Sequence, residues 1–503
     1  MPTHPHLPPG HAVCDKFVRP MTKPPLAPTR SRRRVLTVVL VLSLLAVACA
    51  IAWFTVRSRG AERRRVEIAR IQAANEPLVP ADIPWTPPAS GKDPSEWLMQ
   101  SATVRNGWDM ADLADPGKYT SLLDRARGRA FGEDARVAFE RFEAAIRPIV
   151  SENADPGGTW AAYWVVLANR IAECNGARDW DERERTGVDL LAVGLEPSAK
   201  LARMARDVHA IDPHRVASLL DSADAAFPRL PLVEEAGLAD AINVAAISDA
   251  LAKRPVDALD RVRDGLAMAR VHAPAHFGLA HTVWAHHMTR VLDTLQTVLS
   301  MVPRGLDVTD IEAALTAASP REELQRALRG ERAFGNRVFE SLRDGWRPTD
   351  APTLGGDSFF ARWRHTLVAD GDQAEYLRVM SSHVEAAGKP AFKRGAVTDP
   401  PANGFWTPNA SRMTIQVRGP LATTDRLEAR LVIARIALTA YRAGAKDALL
   451  FLSKSSDPYD GQPIRCALGE KGLVVIWSVG PDGRDDDGRA DSDDVVWALR
   501  LAE

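Results

Sequence analysis

Apolar and polar residues follow three rhythms along this chain. From Val35 to Val56 (VLTVVLVLSLLAVACAIAWFTV) no residue is charged, and about 20 apolar residues in a helix cross the roughly 30 Å hydrocarbon core of a bilayer. Arg30, Arg32, Arg33 and Arg34 close this run on one side, and Arg57, Arg59, Arg63, Arg64 and Arg65 close it on the other. Between 93 and 388 apolar residues recur every three or four positions. Val256, Leu259, Val262, Leu266 and Ala269, for example, make one helical face. Beyond 421 a further stripe (Leu427, Leu431, Ala434, Leu438, Tyr441) gives way to strand-like runs at Ile464–Leu468 and Leu473–Val479. These rhythms predict a mainly α protein with a single N-terminal transmembrane helix, a helical bundle or array, and a small α+β C-terminal tail.

Punctuation residues set the expected boundaries. Residues 1–34 form a basic tail rich in Pro and His with too little apolar content to fold, and Met21 is a second candidate start. The transmembrane helix takes 35–56. A stem and Pro-rich linker follow over 57–92, the stem's arginines suited to lipid headgroups and EPLVPADIPWTPPASG extended. The helical domain spans 93–388. Its starts are marked by Asp93-Pro94 and by Ser319-Pro320-Arg321-Glu322, the latter opening a helix to about Asp344. Five prolines between 390 and 420 make 389–420 a loop-rich linker. The tail covers 421–503, with Asp425 capping a helix that ends near Gly444 and Val495–Leu499 as a last strand.

A cleaved signal peptide has an apolar core of only about 7–15 residues. Here Ile51, Ala52, Trp53 and Phe54 extend the run, and Ala46 is a poor residue for a lipoprotein processing site ending at Cys49. A retained anchor is the reading adopted. Basic residues flank both ends almost equally, so the short basic tail is placed in the cytoplasm and the bulk of the chain on the periplasmic side of the cell membrane.

Composition narrows the function. The 503 residues are 46% hydrophobic with a formal net charge of -1, ample for one or two cores and opposed to nucleic-acid binding, which calls for a basic domain. Of four cysteines, only Cys174 and Cys466 lie beyond the anchor, and two thiols so far apart read as unpaired more readily than bridged. No Walker loop, Rossmann glycine fingerprint, GxSxG elbow, CxxC or HExxH is present.

The sharpest chemical signal is Gly480–Asp494, GPDGRDDDGRADSDD. Hard cations take six to eight oxygens, and Asp485-x-Asp487-Gly488-x-x-Asp491-x-x-Asp494 offers alternating carboxylates around a glycine bend. It is not an EF-hand: Gly483 holds the first ligand position, Asp494 replaces the bidentate Glu, and strands flank the loop. A calcium loop and a solvated acidic turn are both open readings of this stretch. Elsewhere, His272, His276, His281, His286 and His287 crowd one segment. His276 and His287 sit about 16 Å apart along a helix, too far for one ion. Glu331 falls on the stripe Leu324, Leu328, Glu331, Phe334, Val338, Leu342, where a carboxylate needs a partner; a structural pairing with a nearby arginine is expected ahead of an acid–base role.

DPYDGQPIR followed by GLVVIWSVGPDGRDDDGRADSDDVV resembles the C-terminal tail of the major pseudopilin of type II secretion. Ser478, Gly480, Asp482 and Gly483 match the first part of that family's SxGxDG…DxDI loop, and Ser492, Asp494 and Val495 match the second, with Ser492 where the family has Asp. The resemblance covers about the last 80 residues. It implies a helix followed by a small sheet, with calcium held by Asp482 and Asp494 and Asp491 close by. A Gly-Phe processing site with a glutamate five residues into the helix, which pseudopilins carry, does not precede or enter Val35–Val56. In arrangement the chain is similar to bacterial membrane-anchored helical proteins of uncharacterised function, through RPVDALDRVRDGLAMAR (Arg254–Arg270), RALRGERAF (Arg326–Phe334) and QAEYLRVM (Gln373–Met380).

The expected function is a non-catalytic, membrane-anchored interaction or assembly protein of the cell envelope. Its partners would be the lipid bilayer and other envelope proteins, and calcium would sit at Asp482, Asp485, Asp487, Asp491 and Asp494. The alternatives are an envelope hydrolase built on Glu331 or the His-rich segment, and a component associated with a secretion system.

Overall fold

In a computed structural model, the described residues are 30–85 and, with short interruptions inside some ranges, 91–98, 188–212, 236–273, 276–343, 359–399, 406–444, 454–469, 473–489 and 492–500. The chain divides into two compact units, Met1–Val56 and Arg57–Glu503.

The first unit contributes the start of α1 (Arg30–Ala73), which runs beyond the predicted span because no proline or glycine pair interrupts it. Its apolar window has a mean hydropathy of 2.6 and none of it is buried, so by length and composition this helix can cross a membrane. Leu40, Leu44, Leu45, Ile51 and Phe54 are all exposed. A helix apolar on every side has no stable home in water.

In the second unit, described residues form α2 (Ala236–Leu251), α3 (Pro255–His272), α4 (Gly278–Met301), α5 (Thr309–Ala317), α6 (Pro320–Arg343), α7 (Phe359–Ala387), the single turn α8 (Ala410–Met413) and α9 (Arg418–Ala443). The mainly helical architecture expected from the sequence is present. Pro255 and Pro320 occupy first helical positions, where the missing N–H costs no intrahelical bond. The last helix differs from expectation: it opens at Arg418, not at Asp425. Pro420 sits in its first turn, where proline is tolerated. Asp425 lies inside the helix and is buried, both of its oxygens taken by the Arg394 guanidinium at 2.6 and 2.8 Å.

After α9 come three antiparallel strands in the order β1 (Arg465–Leu468), β2 (Leu473–Ser478), β3 (Val495–Arg500). Register pairs Cys466 with Ile476 and Ile476 with Trp497. The sheet shares one core with the helices: Leu259, Leu292 and Leu295 from α3 and α4 join Leu431 and Ile436 from α9 and Val474, Ile476, Trp497 and Leu499 from the strands. Cys466 is a free, half-buried thiol, while Cys174 lies outside the described residues.

A second core gathers Ile71 from the end of α1, Leu324, Leu328 and Phe339 from α6, Tyr376, Leu377 and Met380 from α7, and Val417 and Leu421 at the start of α9. Residues 57–83 therefore belong to the folded unit. Gly60 lies against α7 so closely that an added Cβ would stand 2.8 Å from the Gly371 nitrogen. Arg64 reaches Asp370 at 3.3 Å. Glu76 then binds two arginines of α6, Arg329 at 3.0 Å and Arg332 at 2.7 Å, and the Leu78 carbonyl accepts from Asn336 Nδ2. The segment called extended in the sequence holds a 3-10 turn at Pro80–Asp82, closed by Asp82 accepting from the Leu78 and Val79 amides.

Two buried groups give stability opposite pH slopes. Burial pushes His281 down to about 4, its Nε2 lying 3.1 Å from Thr424 Oγ1. The folded chain then binds fewer protons than the unfolded one between about 4 and 6.5. Stability from this group is present above 6.5 and is lost as pH falls toward 4, by up to about 3 kcal/mol. Burial pushes Asp372 up to about 6 despite the amides of Ala410 and Asn409 on its oxygens. Stability from Asp372 therefore grows as pH falls from 6 toward 3.8, partly cancelling the first slope. His281→Gln should unmask that opposing trend: denaturant midpoints of the variant should rise from pH 6.5 to 4.5 relative to wild type. Parallel profiles would refute this assignment.

Candidate functional site: the acidic turn beside the sheet

The turn between β2 and β3 is built on a carboxylate that carries no weight in the loop pattern itself. Asp457, fully buried, opens the turn Asp457–Gly461 and accepts four hydrogen bonds. Its Oδ1 takes the Tyr459 amide at 2.9 Å and Ser478 Oγ at 2.8 Å; its Oδ2 takes the Val479 amide and Arg465 Nη1, both at 3.0 Å. Asp457 thus ties the turn before β1 to the end of β2. Arg465, on β1, spreads its guanidinium over three carboxylates: Asp457, Asp460 and Asp485.

Backbone geometry then shapes the loop. Gly480, Gly483 and Gly488 have φ values of 66°, 69° and 70°, and Asp487 shares that conformation at 60°. At Gly480 a Cβ would fall 1.9 Å from the Asp493 carbonyl oxygen, so the strand end and the loop's return can meet only through glycine.

The five expected ligands have different fates. Asp482 is exposed and accepts the Arg484 amide at 3.0 Å, a local turn. Asp485 accepts Trp477 Nε1 at 2.9 Å and the Asp487 amide at 3.2 Å on one oxygen, and Arg465 on the other; these contacts, Trp477 foremost, hold it below its ordinary value. Asp487 is exposed, and Asp491 lies outside the described residues. Asp494 is buried. Its Oδ2 accepts the Gly488 and Asp486 amides at 2.9 and 3.2 Å, while its Oδ1 is enclosed with no donor among the described residues. Burial raises the Asp494 carboxyl above its usual range.

Against calcium, this set divides. Asp494 Oδ1 is an enclosed oxygen of the type a hard cation takes. Asp485 is already satisfied, and Arg465 brings positive charge to its side of the loop. Among the described residues no group of three or more His, Cys, Asp and Glu side chains is arranged around one metal position. The hub formed by Asp457 and Arg465 escapes sequence reasoning because the Ser478 hydroxyl, the Val479 amide and the Asp485 carboxylate reach it only through strand pairing and the loop's return. The one local signal was the Asp-Pro-Tyr-Asp-Gly turn. Asp457→Ala should cost about 3 kcal/mol, since two backbone amides and a hydroxyl lose a buried acceptor. Chemical denaturation of wild type and variant checks this; a loss under 1 kcal/mol would contradict the hub.

His272, His276, His281 and His287 are buried, and Glu331 is half-buried. His272 and His287 are buried edge-to-face at 5.2 Å between ring centroids, and His286 and His287 follow at 6.1 Å. Glu331 Oε1 accepts the Gly278 amide at 2.8 Å, the first residue of α4, so a carboxylate meets the positive end of that helix. The expected arginine partner is replaced by backbone, because Arg329 and Arg332 turn to Glu76. Burial raises the Glu331 carboxyl, with the Gly278 hydrogen bond opposing.

Comparisons with protein-family models, with curated proteins and with solved structures find no match for this chain.

Proposed function

We propose that this chain is a single-pass membrane protein whose folded unit acts as an interaction or assembly module at the extracytoplasmic face of the cell envelope, with calcium steadying the acidic turn. The observation that supports it most is the apolar stretch of α1. Its side chains are exposed on all sides and only lipid would cover them. The groups that carried the hydrolase alternative, Glu331 and the histidines, are engaged in capping and packing.

Anchoring is tested by alkaline carbonate washing of membranes that hold the full chain, together with a reporter fused after Glu503. Retention in the pellet and a non-cytosolic reporter are expected. Release of the intact chain, or a cytosolic reporter, would overturn the proposal. The calcium component has its own test. Millimolar calcium should raise the melting temperature of wild type, chelator should reverse it, and Asp494→Asn should abolish it; a melting curve indifferent to calcium removes that component alone.

A further inference from the structure

The arginines after the apolar stretch do not all share one fate. Arg64 turns to Asp370 and lies beside the Gly60–Gly371 contact, on the face of α1 that packs against α7. Ile68 and Ile71 continue that face into the core. Arg57, Arg59, Arg63 and Arg65 instead remain exposed. Arg63 lies within electrostatic reach of Glu375 on α7, and Arg65 pairs with Glu62 at 3.6 Å, both of those last two side chains more than two-thirds exposed. Such a pair contributes little. Four guanidiniums therefore occupy about 12 Å of helix immediately beyond Val56, with one weakly held acid among them.

We infer that Arg57, Arg59, Arg63 and Arg65 form a binding surface for the anionic headgroups of bilayer phospholipids. This inference rests on the anchoring proposed above. If Val35–Val56 lies in the hydrocarbon core, covalent continuity puts Arg57 and Arg59 in the headgroup layer, which is about 5–8 Å deep. Arg63 and Arg65 follow one to two turns on, within reach of their long side chains and of the surface field, which decays over about 8–10 Å. Guanidinium suits a phosphate because it presents paired N–H donors. The fold supplies the selection: the inward residues Gly60, Arg64, Ile68 and Ile71 fix which side of the helix is occupied, and the exposed four are those left to meet lipid. The attraction is electrostatic, so it discriminates phosphatidylglycerol from phosphatidylcholine and weakens with salt.

The full chain, purified in mixed micelles of equimolar phosphatidylglycerol and phosphatidylcholine, is washed and its retained lipid measured by mass spectrometry. Wild type should retain phosphatidylglycerol in several-fold excess at low salt, and the excess should collapse at high salt. The variant R57Q/R59Q/R63Q/R65Q should show a ratio near one at an unchanged melting temperature. The control K253Q/K389Q/R418Q/R442Q removes four exposed charges elsewhere and should keep the excess. A wild-type ratio near one, or an excess that survives in the first variant, overturns the inference. Carbonate extraction keeps the two ideas apart: release from membranes defeats the anchoring, whereas firm retention without lipid preference defeats this inference alone.

Discussion

Glu76→Ala is expected to destabilise the folded unit by about 3–5 kcal/mol, the range found when one member of a buried ion pair is removed. The size follows from Arg332, whose side chain is only 1% exposed and whose ionic partner is Glu76 at 2.7 Å. Among the described residues its other hydrogen bond runs to Ser381 Oγ at 3.1 Å. Burial lowers the Arg332 guanidinium, a sign that its charge is held at a cost. Burial would likewise raise Glu76, yet the hydrogen bonds and charges of Arg332 and Arg329 hold it below its usual range. Removing the carboxylate therefore leaves a charge stranded in the core. Glu76→Ala combined with Arg332→Met should recover much of the loss, because no buried charge then remains. Denaturant melts of wild type, both single variants and the double variant give the coupling directly. If Glu76→Ala costs under 1 kcal/mol, the stem is not clamped as described.

Gly330→Ala should be at least as damaging, at about 4 kcal/mol or more, through overpacking against rigid backbone. A Cβ at 330 would stand 1.8 Å from the His276 carbonyl oxygen, far inside van der Waals contact, and would force α6 away from the turn that leads into α4. The same displacement would pull Glu331 off the Gly278 amide. His276 cannot readily retreat, since it already holds a φ of 55°. A matched pair on the stem gives the calibration. Gly60→Ala places a Cβ 2.8 Å from the Gly371 nitrogen and should be costly, whereas the nearest atom to a Cβ at 371 is 3.9 Å away, so Gly371→Ala should cost little. Thermal melts of the three alanine variants should rank 330 and 60 well below 371. An equal ranking would show that the helices adjust freely.

How much of this was legible in the sequence depended on range. The exposed apolar run, the helical face from Val256 to Ala269 and the helix beginning at Pro320 were readable because apolar period and proline position act locally. The strands were readable for the same reason, their ends falling within a residue of expectation. The start of α9 was misplaced because Asp425 looks like a cap, yet its carboxylate is consumed by Arg394, 31 positions away. The clamp on Glu76 spans 256 positions, and no local pattern announces such a pairing. In the acidic turn, composition drew attention to the exposed carboxylates. The structural anchor is Asp457, which only strand pairing brings under the loop.

The shared core of α9 and the sheet has a practical consequence for anyone dissecting the protein. Leu421, Leu427, Leu431, Ile433, Ile436, Leu438 and Tyr441 are buried on several sides of α9, which packs against α4, α5, α6 and the sheet. A helix greasy around its circumference needs neighbours on all of those sides. Excising the segment from Arg418 onward would strip those neighbours away and yield a sticky, self-associating fragment. Truncation and fusion schemes should therefore cut elsewhere.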